Sequence, residues 1–341
     1  MINVGIIGAG RIGKVHAESI VTKVKAACVV AIADPFLTDD IVSWAKSWGI
    51  TKCYKDYKDI LNDASIDAVL ICSSTDTHSP ISIEAIKAGK HVFCEKPIDH
   101  DVEKIKKVIE ALNDSSVKYQ VGFNRRFDHN FMAAKDAVKA GKVGDINIIK
   151  ITSRDPAPPP VEYIKVSGGL FLDMAIHDFD MVRYISNAEV EEIFAYGACL
   201  VNPEIGKAGD IDTAIVSMKL DNGALAVIDN CRRSSYGYDQ RLEVFGSLGQ
   251  VAIANDTGAK IEISTSEGVT ADKPLHFFLE RYMDAYAKEI EMFVDAIVND
   301  KEVTVGIQDG LMDVIVGLAA KKSLDTGERV KISTILESYG L

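Results

Sequence analysis

The apolar positions in the first third of the chain fall into short, unbroken runs at 2–7, 28–33, 67–72, 91–94 and 117–121, rich in Val, Ile and Cys. Runs of that length without polar alternation are what strands covered on both faces require. Between them apolar residues recur at helical spacing near 13–21, 39–48, 56–62, 78–88 and 101–112, with Asp99 or Asp101 placed to cap the last helix. Strand and helix in alternation predict an α/β architecture with a parallel, doubly wound sheet. Ligands of such sheets lie beyond the carboxyl ends of the strands, so the loops after residues 7, 33, 72 and 94 should surround one crevice.

After residue 122 the pattern changes. A helix is expected over 129–140 and a long strand over 145–154, followed by Pro156-Ala157-Pro158-Pro159-Pro160, a run too short for a linker. A further helix should run from Gly168-Gly169 to about Ile185. Alternating segments near 190–201, 212–220, 223–231, 240–246, 249–254 and 260–264 are separated by turn signals such as Asp221-Asn222-Gly223 and Gly246-Ser247-Leu248-Gly249. They predict an α+β domain with an open, largely antiparallel sheet. Two helices, near 278–299 and 307–325, close the chain, the second able to pack back onto the first domain. The expected organisation is therefore one domain over 1–122 and another over 123–341, since 341 residues exceed one ordinary core. An open sheet leaves a face that a single copy does not cover, which points to a homo-oligomer.

Composition narrows the function. Apolar residues make up 47% and charged residues 26%, as in soluble globular proteins, and the formal net charge of −12 opposes a nucleic-acid or anionic-membrane surface. No apolar run approaches a membrane span, and the first one leads into a glycine turn rather than a signal-peptide cleavage site. Cysteines 28, 53, 72, 94, 199 and 231 are widely spaced without C-x-x-C, so they read as reduced structural thiols of a cytoplasmic protein. His and Cys do not cluster at ligand spacing, and no metal site is expected.

Three stretches carry chemistry. The first is Ile2-Asn3-Val4-Gly5-Ile6-Ile7 running into Gly8-Ala9-Gly10-Arg11-Ile12-Gly13, with Asp34 closing the next apolar run. Strand, G-x-G-x-x-G, helix and acid in that order form a dinucleotide-binding unit. Gly8 permits the tight turn, Gly10 lets the backbone approach a pyrophosphate, and Gly13 lets the helix pack closely. The N–H groups of Arg11, Ile12 and Gly13 and the positive helix end face the phosphates. Asp34 would accept the ribose hydroxyls and repel a 2′-phosphate, so the cofactor is expected to be NAD.

The second stretch is Ala88-Gly89-Lys90-His91-Val92-Phe93-Cys94-Glu95-Lys96-Pro97, a buried strand ending in a charged pair and a proline able to hold a cis bond. Lys96 is placed to stabilise an alkoxide and Glu95 to bond the nicotinamide-side ribose, although an ordinary solvated pair has the same pattern. In the third, Gly168-Gly169-Leu170-Phe171-Leu172-Asp173-Met174-Ala175-Ile176-His177-Asp178-Phe179-Asp180, Asp173, His177 and Asp180 share one face of the expected helix, with Leu172, Ile176 and Phe179 on the face beside it. A carboxylate-oriented histidine is a proton acceptor near neutral pH, whereas a merely capped or solvated histidine is the plainer alternative. Ser73, Ser74, Thr75 and His78 should pass beside the cofactor or cap the next helix. Arg126 or its neighbour Arg125 is placed for substrate oxygens, Arg154 and Asp155 for the cleft, and Tyr236 for either substrate or the sheet surface. His16, His91, His100, His129 and His276 show no partner pattern and read as structural.

These motifs together resemble the Gfo/Idh/MocA oxidoreductases over nearly the whole chain. The run Ser153-Arg154-Asp155-Pro156-Ala157-Pro158-Pro159-Pro160 before the glycine-helix motif is most similar to the inositol 2-dehydrogenase branch. The resemblance implies an N-terminal Rossmann domain that binds NAD and a second domain used for substrate and for assembly, often as a tetramer. It also implies that Lys96, Asp173 and His177 are catalytic and that Arg126 and Tyr236 contact substrate. The expected reaction is oxidation of one secondary hydroxyl of a cyclic polyol, myo-inositol to its 2-keto product, with His177 as general base, Lys96 steadying the alkoxide and hydride passing to NAD. Either Asp173 or Asp180 would orient His177. Alternatives are action on another inositol isomer or a sugar, and, from a different class, a non-catalytic NAD-sensing protein.

Overall fold

The computed structural model describes residues 1–341, which divide into two compact units. The first comprises Met1–Asp128 with Met283–Val314, the second His129–Tyr282 with Ile315–Leu341. The units are therefore interleaved along the chain, whereas the expected boundary at 122/123 was sequential. The cause is packing. Ile290, Phe293 and Val294 of the helix Met283–Val298 are buried in the same core as Val4, Ile6, Leu70 and Phe93.

In the first unit six strands, β1 (Ile2–Ile7), β2 (Ala27–Ala33), β3 (Lys52–Tyr54), β4 (Ala68–Ile71), β5 (His91–Glu95) and β6 (Tyr119–Gly122), lie in the order β3-β2-β1-β4-β5-β6. Every pairing is parallel. Strand order reverses at β1 and β4, the switch point where such sheets bind ligands. The solid apolar runs are the buried central strands, β4 and β6 being buried throughout. β3 was not anticipated. It is a three-residue edge strand, only half-buried, and leaves no apolar run to read.

The second unit is built on β7 (Ile146–Arg154), β8 (Val190–Ala198), β9 (Thr213–Leu220), β10 (Leu225–Cys231), β11 (Asp239–Gly246), β12 (Gly249–Ile253) and, far down the chain, β15 (Val330–Lys331). Their order is β12-β11-β7-β10-β9-β8-β15, antiparallel except where β7 and β10 run parallel. Strands β13 (Glu262–Thr265) and β14 (Gly268–Ala271) form a separate exposed hairpin.

The helix expected from Gly168 to about Ile185 is two helices, Gly169–Asp173 and Ile176–Ser186. Met174 N and Ala175 N both donate to the Leu170 carbonyl, and His177 N then donates to Met174. The ladder slips by one residue while the apolar spacing of Leu172, Ile176 and Phe179 runs on, so the sequence pattern hides the break. No helix of the molecule is long and apolar enough to cross a membrane.

Candidate active-site residues in each unit

In the first unit the functional residues gather at the carboxyl edge of the parallel sheet. Gly8 has φ +100°, and a Cβ there would stand 2.6 Å from the Cys72 carbonyl, so the turn after β1 passes against the end of β4 too closely for any other residue. A Cβ on Gly13 would collide with the Gly8 carbonyl. A Cβ on Gly10 would meet nothing within 4 Å, leaving the backbone approachable from that side. Gly10 caps the helix Arg11–Lys23 without a side-chain bond, so its first turn keeps unpaired N–H groups and a positive dipole end. These features fit a pyrophosphate.

Asp34, half-buried at the end of β2, accepts from Ala9 N at 2.7 Å through one oxygen and from Phe36 N at 2.8 Å through the other. It thus ties the glycine turn to β2 while staying partly open to a ribose. Ser74 is exposed, and Ser73 and Thr75 are half-exposed. Ser73 Oγ bonds Thr77 Oγ1 at 2.6 Å.

Two of the candidate residues have partners within the unit. His78 is buried, with Nδ1 2.8 Å from the Pro97 carbonyl and Nε2 3.1 Å from the Ser73 carbonyl. Both nitrogens face acceptors, so the ring clamps one loop to the other. Burial opposes charge on this imidazole, but the adjacent Cys94 and the two carbonyls outweigh it and raise its pKa to about 9. Glu95 is 8% exposed and turns inward, its Oε1 lying 2.6 Å from His16 Nε2. Its carboxylate is thus joined to the helix Arg11–Lys23 through His16. Lys96 follows it, half-buried, and the Lys96–Pro97 peptide is cis. Arg126 is 7% exposed, and its Nη2 donates to Asp309 at 2.9 Å, a tie that a substrate oxygen would have to share.

In the second unit the slipped helix sets the geometry. Asp173 ends the first short helix and His177 lies in the first turn of the second, both half-buried. Asp173 accepts from the Tyr163 hydroxyl at 2.9 Å and, on its other oxygen, from Nη1 and Nη2 of Arg232 at 3.2 Å each. Arg232 is 1% exposed, so Asp173 is paired with a fixed, buried guanidinium. Neither Arg232 nor Tyr163 was singled out from the sequence. The only signal was the Arg232-Arg233 pair, and nothing in it tells a buried arginine from an exposed one. Asp180 is fully buried, as is Asp178, which accepts from Asn230 at 2.8 Å. Arg154 bridges Asp229 (2.7 Å) and the Tyr236 hydroxyl (3.2 Å), and that hydroxyl donates to the buried Asp239. Asp155 is half-buried just beyond β7.

The profile of an oxidoreductase family described by an NAD-binding Rossmann fold matches residues 2–123, and that of the GFO/IDH/MocA C-terminal domain matches residues 131–252. The myo-inositol 2-dehydrogenase of Thermotoga maritima is 47% identical over 333 residues, covering 98% of this chain and 99% of its own. The inositol 2-dehydrogenase of Rhizobium meliloti is 44% identical over 331 residues, covering 96% and 98%. Among solved structures, scyllo-inositol dehydrogenase of Lactobacillus casei with bound NAD(H) and scyllo-inositol superposes with a TM-score of 0.90 at 33% identity, over 98% of this chain and 99% of that one.

Proposed function

The chain belongs to the Gfo/Idh/MocA oxidoreductase family, and from that premise we propose that it oxidises one secondary hydroxyl of a cyclic polyol with NAD, myo-inositol giving its 2-keto product. The observation that carries the reading is Lys96 standing at the end of β5, on the same sheet edge as the uncapped glycine turn and Asp34. Bound NAD supplies the two-electron acceptor.

The chain's own residues do the rest. The first-turn N–H groups of the helix Arg11–Lys23 bind the pyrophosphate, and Asp34 takes the ribose hydroxyls. Ser73, Ser74 and Thr75 line the path of the dinucleotide. His177 removes the hydroxyl proton as general base. The Lys96 ammonium holds the same oxygen as negative charge develops on it. Asp173, steadied by Arg232 and Tyr163, holds the imidazole or a neighbouring substrate hydroxyl. Asp155, Tyr236 and, by sharing its tie to Asp309, Arg126 complete the polar contacts that a molecule with a hydroxyl on every carbon demands. An epimer would leave some of these groups unpaired.

The test is NADH absorbance with purified protein and a panel of inositol isomers, sugars and other polyols, with NAD and NADP side by side. NAD reduction fastest with myo-inositol is expected, and no reduction with any polyol would sink the reading. The likeness to a scyllo-inositol dehydrogenase favours one alternative, oxidation of that isomer, and the same panel separates the two. All six cysteines are free, which supports a reducing, cytoplasmic setting. We also propose a homo-oligomer, a tetramer or a dimer.

A further inference from the structure

Behind the strand end that carries Lys96, the first unit buries three titratable side chains that the reaction does not use. His16 on the helix Arg11–Lys23, Glu95 on β5 and Glu289 on the helix Met283–Val298 bring one ligand atom each within 4.8 Å of one another. His16 and Glu289 are 0% exposed. His16 Nε2 is 2.6 Å from Glu95 Oε1 and 4.0 Å from Glu289 Oε1. Neither carboxylate oxygen of Glu289 has a hydrogen-bond partner. The walls are aromatic, with Phe93 and Tyr286 edge-on to the imidazole at 5.1 and 5.6 Å between centroids. Gly122 leaves the room, since a Cβ there would stand 3.1 Å from Glu95 Oε2.

Charge counting decides the state. Ionised, Glu289 would be a bare carboxylate in an apolar core, a prohibitive desolvation cost. Glu95 has a partner, its Oε1 lying 2.6 Å from His16 Nε2. Glu289 has no such bond, and a proton on it removes the uncompensated charge. A divalent cation could replace that proton. The 2.6 Å contact, however, already uses His16 Nε2 and Glu95 Oε1 on each other.

We infer that His16, Glu95 and Glu289 form a buried proton-sharing triad in which Glu289 is kept as a neutral acid, and that the triad positions the strand end bearing Lys96. The second half of the inference rests on the proposed role of Lys96. Burial first, and then the charge of Glu95, push the Glu289 carboxyl well above its ordinary range. The other titratable groups around it include Tyr286 against His16 and Cys72 just beyond β4, whose thiol is pushed up by burial and then by Glu95, Cys94 and Glu289. Because the folded pKa of Glu289 lies above its unfolded value, the native state holds the extra proton. Stability from this group therefore falls as pH rises from about 4.5 toward the raised value.

Glu289→Gln keeps the shape and removes the titration. It should unfold at a temperature no lower than the parent's at about pH 5, with a margin that widens by about pH 8. Infrared absorption of a protonated carboxyl near neutral pH should be present in the parent and missing in this variant. A margin that stays flat with pH, an absent band, or zinc or manganese raising the melting temperature of the parent but not of the variant would each overturn the neutral acid.

For positioning, His16→Ala should lower kcat about tenfold or more with NAD affinity within about threefold, and His16→Gln, which still donates to Glu95, should recover most of it. Unchanged kcat in His16→Ala would overturn that role. The melting and infrared readings need no turnover, so a parent that oxidises no polyol would defeat the proposed function and leave the triad standing.

Discussion

Single residues carry most of the chemistry, and those whose job is set by covalent type and place were readable in the sequence. Gly8, Gly10 and Gly13 do what a phosphate-binding turn needs, for reasons visible as the close approach of the Cys72 and Gly8 carbonyls. Residues whose role depends on what long-range folding brings beside them were not readable. His16 gives no local sign of Glu95 or Glu289, and Arg232 none of Asp173. His78 and Glu95 were legible as residues of the site edge, but the direction in which each side chain turns was not.

The proposed roles make two predictions at this scale. Lys96→Ala and His177→Ala should each lower kcat by about a hundredfold to ten-thousandfold while NAD binding, followed by fluorescence titration, changes little. Near-normal turnover in either removes that residue from the chemistry. Asp34→Ser deletes the charge that opposes a 2′-phosphate and should raise the NADP-to-NAD ratio of kcat/KM by about tenfold or more. An unchanged ratio would leave Asp34 only its ties to Ala9 and Phe36.

Elements were legible where their burial is uniform. β1 occupies the expected residues, and the helix Val102–Asn113 starts where Asp101 accepts from Glu103 N. The failures share a cause, which is that the apolar pattern does not register small changes in the backbone ladder. β3 is too short to leave a pattern, and the slip at Ala175 leaves the apolar stripe intact while turning one helix into two.

Loops also have a clamp that only the structure reveals, the His78 imidazole between Ser73 and Pro97. Its pKa is raised from 6.5 to about 9, so its stabilising contribution is complete below the lower value and is lost as pH rises through the upper one. Melting temperatures of the parent and His78→Gln should differ most near about pH 6 and converge above about pH 9, with a full contribution on the order of 3 kcal/mol at most. A difference independent of pH would mean that the ring acts by packing alone.

For the whole molecule, the architecture of each sheet followed from the sequence, but the partition of the chain did not, because a hydrophobic helix gives no sign of which core it joins. The seven-stranded sheet exposes Ile148, Leu225 and Phe245 on the adjacent strands β7, β10 and β11, and Tyr196 and Ile215 on the paired strands β8 and β9. Apolar side chains spread over neighbouring strands mark a surface that another copy would cover. Light scattering at micromolar concentration should give a multiple of 37.1 kDa, and charging the face with Ile215→Lys and Phe245→Glu should bring it down to the single-copy mass. A parent already at that mass would end the idea.

Interleaving also dictates how the polypeptide can be made. The segment that completes the dinucleotide-binding core, Met283–Val314, leaves the ribosome long after the six strands it covers. The nascent chain must keep the contact sites of Ile290, Phe293 and Val294 uncovered while His129–Tyr282 of the second unit is being translated. A chain released early, or cut to its first 128 residues, would present that greasy patch to its neighbours, so expression of the amino-terminal piece alone should yield aggregate, and supplying Met283–Val314 on the same polypeptide through a short linker should restore solubility.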